Sequence, residues 1–222
     1  MAVEVRNLNG IGMTSQRTRA RMVERLRSQG IRDERVLGAM ASVPRHLFVE
    51  EALASRAYED SALPIGFAQT ISRPYVVARM IELIIQKNAS GKVLEVGTGC
   101  GYQAAVLAQI FPEVYSIERI KALLERARVN LLGLRLMNLR LAHGDGYAGL
   151  EKAAPFQSVI VAAAARQVPE ALLRQLAPGG RMILPLHEES GQRLVLYERS
   201  GRGFLESELD PVRFVPMEMG KA

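Results

Sequence analysis

Cysteine is almost missing from this chain of 222 residues, since Cys100 stands alone. A lone cysteine excludes an intrachain disulfide framework and a multi-cysteine zinc site. Tryptophan is absent, and the three histidines, His46, His143 and His187, lie far apart. So scattered a set is a poor metal site, and no metal is expected. No stretch reaches the roughly 18 continuous apolar residues that a membrane span needs. Residues 1–12 carry no apolar segment of a secretory signal. No membrane partner is expected, and the expected location is the cytoplasm. A G-x-S-x-G elbow and a cysteine–histidine pair are also missing, which leaves no conventional nucleophile with its base.

Charge leans basic, with 29 Lys and Arg against 23 Asp and Glu, a net +6. That balance can favour nucleic acid. Much of it sits in one helix-like block, Arg17, Arg19, Arg21, Arg25 and Arg27. No aromatic-rich patch accompanies the block, as a single-strand platform needs. A solvated helix face is the preferred reading, and no nucleic-acid partner is expected. A hydrophobic content of 48% is enough for a substantial core. One domain over residues 1–222 is expected, and a monomer is the simplest assembly.

The most informative stretch is Val93-Leu94-Glu95-Val96-Gly97-Thr98-Gly99-Cys100-Gly101-Tyr102. A short apolar run ends at an acid, and three glycines follow at alternate positions. This pattern predicts a strand, a tight turn and a helix start. Dinucleotide folds usually carry G-x-G-x-x-G with a pyrophosphate at the helix. Here the spacing is E-x-G-x-G-x-G, and an acid before the turn is a poor neighbour for phosphate. It suits a cationic ligand such as the methionyl ammonium and sulfonium of S-adenosylmethionine.

Around this motif the chain divides in two. Residues 1–90 read as helical with one irregular loop: helices over 18–29 and over 34–42, the latter N-capped by Asp33, then a loop over 58–74 without period. The helical period returns at Pro74. Over 91–222 strands alternate with helices: strands 92–96, 114–117, 139–142, 158–163 and 181–186, and helices 102–110, 120–132 and 169–176. That alternation predicts a mostly parallel sheet with helices on both faces. Segments 192–198 and 204–209 read as an antiparallel hairpin at one edge.

Ligands of such sheets bind beyond the carboxyl ends of the strands. Four candidates fall there. They are the 95–101 turn, Glu118, the run His143-Gly144-Asp145-Gly146, and Ala162-Ala163-Ala164-Ala165. Glu118 can accept from ribose hydroxyls, and Asp145 can hydrogen-bond an adenine amino group. Each has a plainer alternative: a solvated helix opener for Glu118, a turn or cap for Asp145, close packing for the alanines. Ser72 likewise reads either as a cap of the proline-started helix or as a hydroxyl offered to an acceptor. The silence on general bases fits a carboxylate acceptor, which is already ionised at neutral pH (reference pKa about 3.9).

Over residues 17–217 the chain resembles the protein-L-isoaspartate O-methyltransferase family. The resemblance rests on Val43-Pro44-Arg45, Leu63-Pro64-Ile65-Gly66, Gln69-Thr70-Ile71-Ser72, Pro74-Tyr75, the 94–103 turn, Ser116-Ile117-Glu118-Arg119, His143-Gly144-Asp145-Gly146, Leu176-Ala177-Pro178-Gly179-Gly180 and Val212-Arg213-Phe214-Val215-Pro216. The glycine turn is common to many methyltransferases; the 69–72 and 212–216 segments are far more specific. The resemblance implies an α/β, Rossmann-like class I S-adenosylmethionine-dependent methyltransferase fold, with a mostly parallel seven-stranded sheet and added N-terminal helices. It implies methylation of the free α-carboxyl of L-isoaspartyl residues in damaged proteins and peptides, followed by closure to a succinimide. It makes Ser72 the catalytic residue. Cofactor contacts fall to Gln69, Thr70, Glu95, Val96, Gly97, Thr98, Gly99, Gly101, Tyr102, Glu118, Arg119, Gly144, Asp145 and Gly146. Leu63, Pro64, Ile65, Ile71, Ser72, Val161, Ala162 and Ala163 are expected to line the substrate cleft.

Departures from the family pattern are Phe67-Ala68, Ala164-Ala165-Arg166 and Cys100. The first dozen residues read as a poorly ordered extension. A methyltransferase for another acceptor is the nearest rival. An N-P-P-Y-type motif is absent, and the lone cysteine in the turn argues against cysteine-based RNA methylation. A non-catalytic cofactor-binding module is disfavoured by Ser72 beside an intact turn.

Overall fold

A computed structural model describes residues 10–85, 91–189 and 191–222. Most of the expected extension, residues 1–9, lies outside the described residues. The chain opens with α1 (Gln16–Ser28) and α2 (Glu34–Ser42), the second capped by Asp33, whose carboxylate accepts from the Arg35 amide at 2.9 Å. The arginine block on α1 is less solvated than its spacing suggests. Arg19 is buried and donates to the Tyr58 hydroxyl and the Ala41 carbonyl, and Arg27 pairs with Glu34. Arg17 and Arg21 are exposed.

The expected loop over 58–74 holds regular structure. Strand β1 (Leu63–Gly66) pairs antiparallel with β2 (Gln69–Ile71) in a hairpin of its own. Strands of four and three residues are too short to show a period of two, and Pro64 disguises the first. The two turn residues, Phe67 and Ala68, both have φ of 54°, where asparagine and glycine are usual. The turn is braced from outside: Arg126 donates to the Ile65 carbonyl at 2.7 Å and lies over the Phe67 ring.

Helix α3 (Pro74–Ile84) follows, with proline in its first turn. The remaining elements alternate: β3 (Lys92–Val96), α4 (Tyr102–Ala108), β4 (Glu113–Glu118), α5 (Lys121–Leu131), β5 (Leu139–His143), β6 (Phe156–Val161), α6 (Glu170–Arg174), β7 (Leu176–Glu188), β8 (Gly191–Ser200) and β9 (Gly203–Pro211). Seven strands form one sheet in the order β5-β4-β3-β6-β7-β8-β9. The first five in that order run parallel, and the β7-β8-β9 edge is antiparallel. This is the Rossmann-like methyltransferase architecture, with the hairpin on the expected edge. Among the described residues no helix is long and apolar enough to cross a membrane.

Burial explains the strands. Val93 and Ile160 point to the face covered by α2, α3 and α4, while Leu94, Val96, Val159 and Val161 point to the face that carries Leu172 of α6. Strands covered on both sides read as continuous apolar runs. The chain steps from β3 outward through β4 to β5, then returns to place β6 on the other side of β3. The carboxyl ends of β3, β4 and β6 therefore surround the point where strand order reverses, where a crevice opens.

The first turn of α3 is held from a distance. Asp60 accepts from the Tyr75 amide at 3.0 Å and from Arg73 at 2.8 Å. Burial works to raise the Asp60 pKa, but hydrogen bonds from Arg73, Tyr75 and Gln29 outweigh it and hold it below the usual range. A depressed carboxyl contributes stability above its unfolded pKa and loses it as pH falls through the folded value. Asp60→Ala is therefore expected to cost about 1–2 kcal/mol at pH 7, and less near pH 3, in urea unfolding.

Candidate active site

Strand β3 delivers Glu95 and Val96 to the crevice, and the chain must then turn sharply into α4. Gly97 at φ 95° and Gly101 at φ 91° supply backbone that side chains resist. A Cβ on Gly101 would also meet the Leu131 side chain at 3.0 Å. The turn is tied to β4: the Gly97 amide donates to the Ile117 carbonyl at 2.9 Å and the Thr98 hydroxyl bonds Ser116 at 2.6 Å.

Glu95 is fully buried. Its Oε2 accepts from Ser116, while its Oε1 has no partner among the described residues. Burial pushes its pKa up to about 8, against the Ser116 hydrogen bond and the nearby Gln103 amide, with the Glu118 carboxylate adding to the rise. A buried acceptor without a donor costs about 1–3 kcal/mol, so the site fits a ligand that brings one. A cationic group is the natural donor, because an opposite charge favours the carboxylate form that burial disfavours.

Glu118 is buried, so the solvated alternative does not describe it. Its Oε2 accepts from the Gly99 amide at 2.9 Å and its Oε1 from the Ile120 amide at 3.0 Å. A carboxylate has about four acceptor sites, so two remain for ligand hydroxyls. Asp145 does form the turn that its position suggested, accepting from the Tyr147 amide at 2.9 Å. Its second oxygen accepts from the Gly220 amide at 2.8 Å. Arg119 directs its guanidinium to the same C-terminal segment, pairing with Glu218 at 2.8 Å.

Ser72 stands on the far side of the crevice, half-buried, with no hydrogen-bond partner for its hydroxyl among the described residues. The capping alternative fails, because Asp60 caps the first turn of α3 and the residue at the cap is Arg73.

The crevice brings most expected residues together. Ile65, Gln69, Thr70, Ile71, Ser72, Glu95, Val96, Gly97, Thr98, Gly99, Tyr102, Glu118, Arg119, Gly146, Ala162 and Ala163 line one cavity. Leu63, Pro64, Gly101, Gly144, Asp145 and Val161 are not on its wall. Leu63 and Val161 point into the core, Pro64 faces solvent, Gly101 packs on Leu131, and a Cβ at Gly144 would strike Ile117. Ala164 and Ala165 serve packing, bridging to Pro216 and Leu186. A second cavity opens beyond Ser72 and shares Thr70, Ser72, Ala162 and Val215 with the first. Sequence reasoning assigned no role to Gln103 or to the Val215–Glu218 segment, both on the wall. Gln103 and Val215 stood inside quoted motifs, whereas Glu218 carried no signal.

A family model described as protein-L-isoaspartate(D-aspartate) O-methyltransferase matches residues 17–222. The chain belongs to that family. Among relatives, the protein-L-isoaspartate O-methyltransferase of Dechloromonas aromatica (strain RCB) is 62% identical over 214 residues, covering 96% of this chain and 99% of that protein. That of Azoarcus sp. (strain BH72) is 63% identical over 205 residues, covering 92% and 94%. A solved protein-L-isoaspartate O-methyltransferase superposes with a TM-score of 0.82 at 28% identity, over 91% of this chain and 67% of that one. A beta-aspartate methyltransferase (PCMT) from Plasmodium falciparum, solved with S-adenosyl-L-homocysteine, superposes with a TM-score of 0.78 at 26% identity, over 90% and 98%. The family resemblance read from the motifs is thus a membership.

The Glu95 carboxyl in the ligand-free protein sets a pH dependence. Its folded pKa is raised, so the folded state holds a proton that the unfolded state releases, and stability falls as pH rises from about 4.5 toward about 8. Glu95→Gln is expected to be near neutral at pH 5 and stabilising by on the order of 2–4 kcal/mol above pH 8. Denaturant unfolding at the two pH values measures this; a constant difference would place the titration elsewhere.

Proposed function

We propose that this chain transfers a methyl group from S-adenosylmethionine to the free α-carboxyl of L-isoaspartyl residues in damaged proteins and peptides. The ester then closes to a succinimide, which starts repair. The observation that carries the reading is one continuous space, in a member of this family, between the orphaned Glu95 oxygen and the unpartnered Ser72 hydroxyl. The cofactor supplies an electrophilic methyl group.

The chain's own residues supply position and dryness. Glu95 receives the ammonium of the cofactor, and Glu118 keeps acceptor sites for the ribose. Gly146, on the wall, gives room for Val96 and Met217 to pack where the adenine ring is received. Gln69 and Thr70 close the same wall from β2. Small side chains at Ala162 and Ala163 leave room where donor and acceptor meet. The acceptor carboxylate needs no base, since it is ionised well below neutral pH. It needs orientation along the methyl–sulfur axis and removal of water. A neutral hydroxyl at Ser72 does this without quenching the attacking oxygen. The neighbouring Arg73 is engaged by Asp60 at 2.8 Å, which supports an acceptor site without a dominating ion pair.

The second cavity, beyond Ser72, is where the rest of the acceptor chain lies. Its wall includes Tyr75, Val76, Leu194 and Phe214, with Arg79 held by Glu82 and Asp210. A largely apolar cleft of this kind accepts varied flanking residues, as a repair enzyme requires. The same reading treats residues 1–222 as one catalytic unit, acting as a cytoplasmic monomer without nucleic-acid or membrane partners. The engagement of Arg19, Arg25 and Arg27 within the chain supports the absence of a nucleic-acid platform.

The direct test is methyl transfer from labelled S-adenosylmethionine to two peptides that differ only in carrying L-isoaspartate or L-aspartate. Base-labile label on the isoaspartyl peptide alone is expected. Label on neither, with cofactor binding intact, would send the acceptor assignment elsewhere. Ser72→Ala is expected to leave the affinity for S-adenosylhomocysteine within about twofold and to cut kcat by 10²-fold or more. A collapse of cofactor affinity in that variant would make Ser72 structural.

A further inference from the structure

Two buried polar groups of the cavity wall lack partners among the described residues, and they are of opposite kind. One is the acceptor Oε1 of Glu95; the other is the donor Nε2 of Gln103. Gln103 is the second residue of α4, in the first turn after Gly101, so its direction is set by the glycine turn itself. It is 8% exposed and lies on the cavity wall. It sits near enough to Glu95 to favour the carboxylate form, yet neither orphaned atom has a hydrogen bond of acceptable length and angle. A buried amide donor left empty is costly, and native folds keep few of them without a reason.

The ligand proposed for this cavity ends in an α-amino acid, which presents one cation and one anion. Glu95 answers the cation. The anion has no free positive partner on the wall: the sole lysine or arginine among the described lining residues is Arg119, and its guanidinium is taken by Glu218 and the Gly220 carbonyl. Thr98 is already engaged with Ser116. A carboxylate there must be held by neutral donors, and Gln103 is a dry, unspent one beside Glu95.

We propose that Gln103 is a cofactor-binding residue whose side-chain amide holds the carboxylate of the donor's amino-acid end while Glu95 takes the ammonium. The pair reads the zwitterion from one wall, with the donor on α4 and the acceptor on β3. This inference rests on the cofactor reading above. The alternative role for Gln103 is to orient Glu95, and ligand chemistry separates the two roles.

The test is calorimetric binding of two ligands that differ only at the amino-acid end. S-adenosylhomocysteine carries both groups; S-adenosyl-3-thiopropylamine keeps the ammonium and lacks the carboxylate. Against the wild-type protein, Gln103→Met is expected to weaken S-adenosylhomocysteine about tenfold and to leave the amine within about twofold. Equal weakening of both ligands would show that Gln103 acts through Glu95 and would overturn the proposal, as would no weakening of either. A thermal midpoint for each variant checks the fold. Should Gln103→Met not fold, the wild-type protein still decides. The Gln103 side-chain amide signals in a ¹⁵N–¹H spectrum are expected to shift with S-adenosylhomocysteine and not with the amine; identical shifts with both would overturn the assignment. Wild-type protein that binds neither ligand would remove the cofactor reading itself, and this inference with it.

Discussion

The carboxyl group of Glu95 is the constraint around which the cofactor half of the molecule is arranged. It is carried to zero exposure on the third strand, in a position where water would ordinarily be required. Ser116, on the neighbouring parallel strand, satisfies one oxygen, and Thr98 in the glycine turn bonds Ser116 in turn. Glu118, two residues further along β4, reaches back to the amide of Gly99. Strand β4 thus fixes both the acid and the turn that follows it. The turn can take this shape because glycines occupy its positive-φ positions, and the register of β3 against β4 places Glu95 opposite Ser116. The remaining oxygen has no partner among the described residues, and Glu95 lies on the cavity wall, so the cost of burying the acid is only partly offset within the protein.

The glycine turn and the strands around it were legible because each signal is local. An apolar run of five residues, an acid and alternate glycines define β3 and its turn without help from the rest of the chain. Strand bounds at 92–96 agree with the sequence reading, and helix and strand ends elsewhere differ by a few residues, as fraying ends do. The edge hairpin was legible for the same reason, through the Ser200-Gly201-Arg202-Gly203 turn. The β1–β2 hairpin was not. Its strands are short, one contains proline, and its turn uses Phe67 and Ala68 where the usual turn residues are missing. Its stability comes from Arg126, some sixty residues away in sequence, and such support leaves no local trace.

The roles of single side chains divide along the same line. Ser72 before Pro74 looked like a cap because caps are read from neighbours. The cap is Asp60, which no spacing rule connects to Tyr75. Releasing Ser72 from that duty is what leaves its hydroxyl free in the crevice. Glu118 looked like a helix opener by position, and it does accept from Ile120; burial and the bond to Gly99 add the second role. Asp145 shows the opposite outcome, since its turn role is realised and its other oxygen is shared with the C-terminal segment. Gln103 stood in a quoted motif without a role, because an unsatisfied donor is a property of three-dimensional surroundings.

The N-terminal helices and the sheet are joined by a group that stability alone does not explain. Arg45 is fully buried, and burial lowers its pKa. Among the described residues it has no carboxylate partner: its Nε donates to the Ala57 carbonyl at 2.8 Å and its guanidinium lies 4.9 Å from the centre of the Tyr102 ring. Tyr102 opens α4, and Phe48 packs edge-on against it from the N-terminal side. An apolar replacement of similar volume often serves a core better than an unpaired charge. What the guanidinium adds is direction. Its donors fix the segment around Ala57, while its face holds Tyr102 and with it the first turn of α4. That segment leads through Asp60 to the hairpin and Ser72. Arg45 therefore ties the segment that leads to Ser72 to the first turn of α4, the kind of rigid support on which a precisely placed site depends.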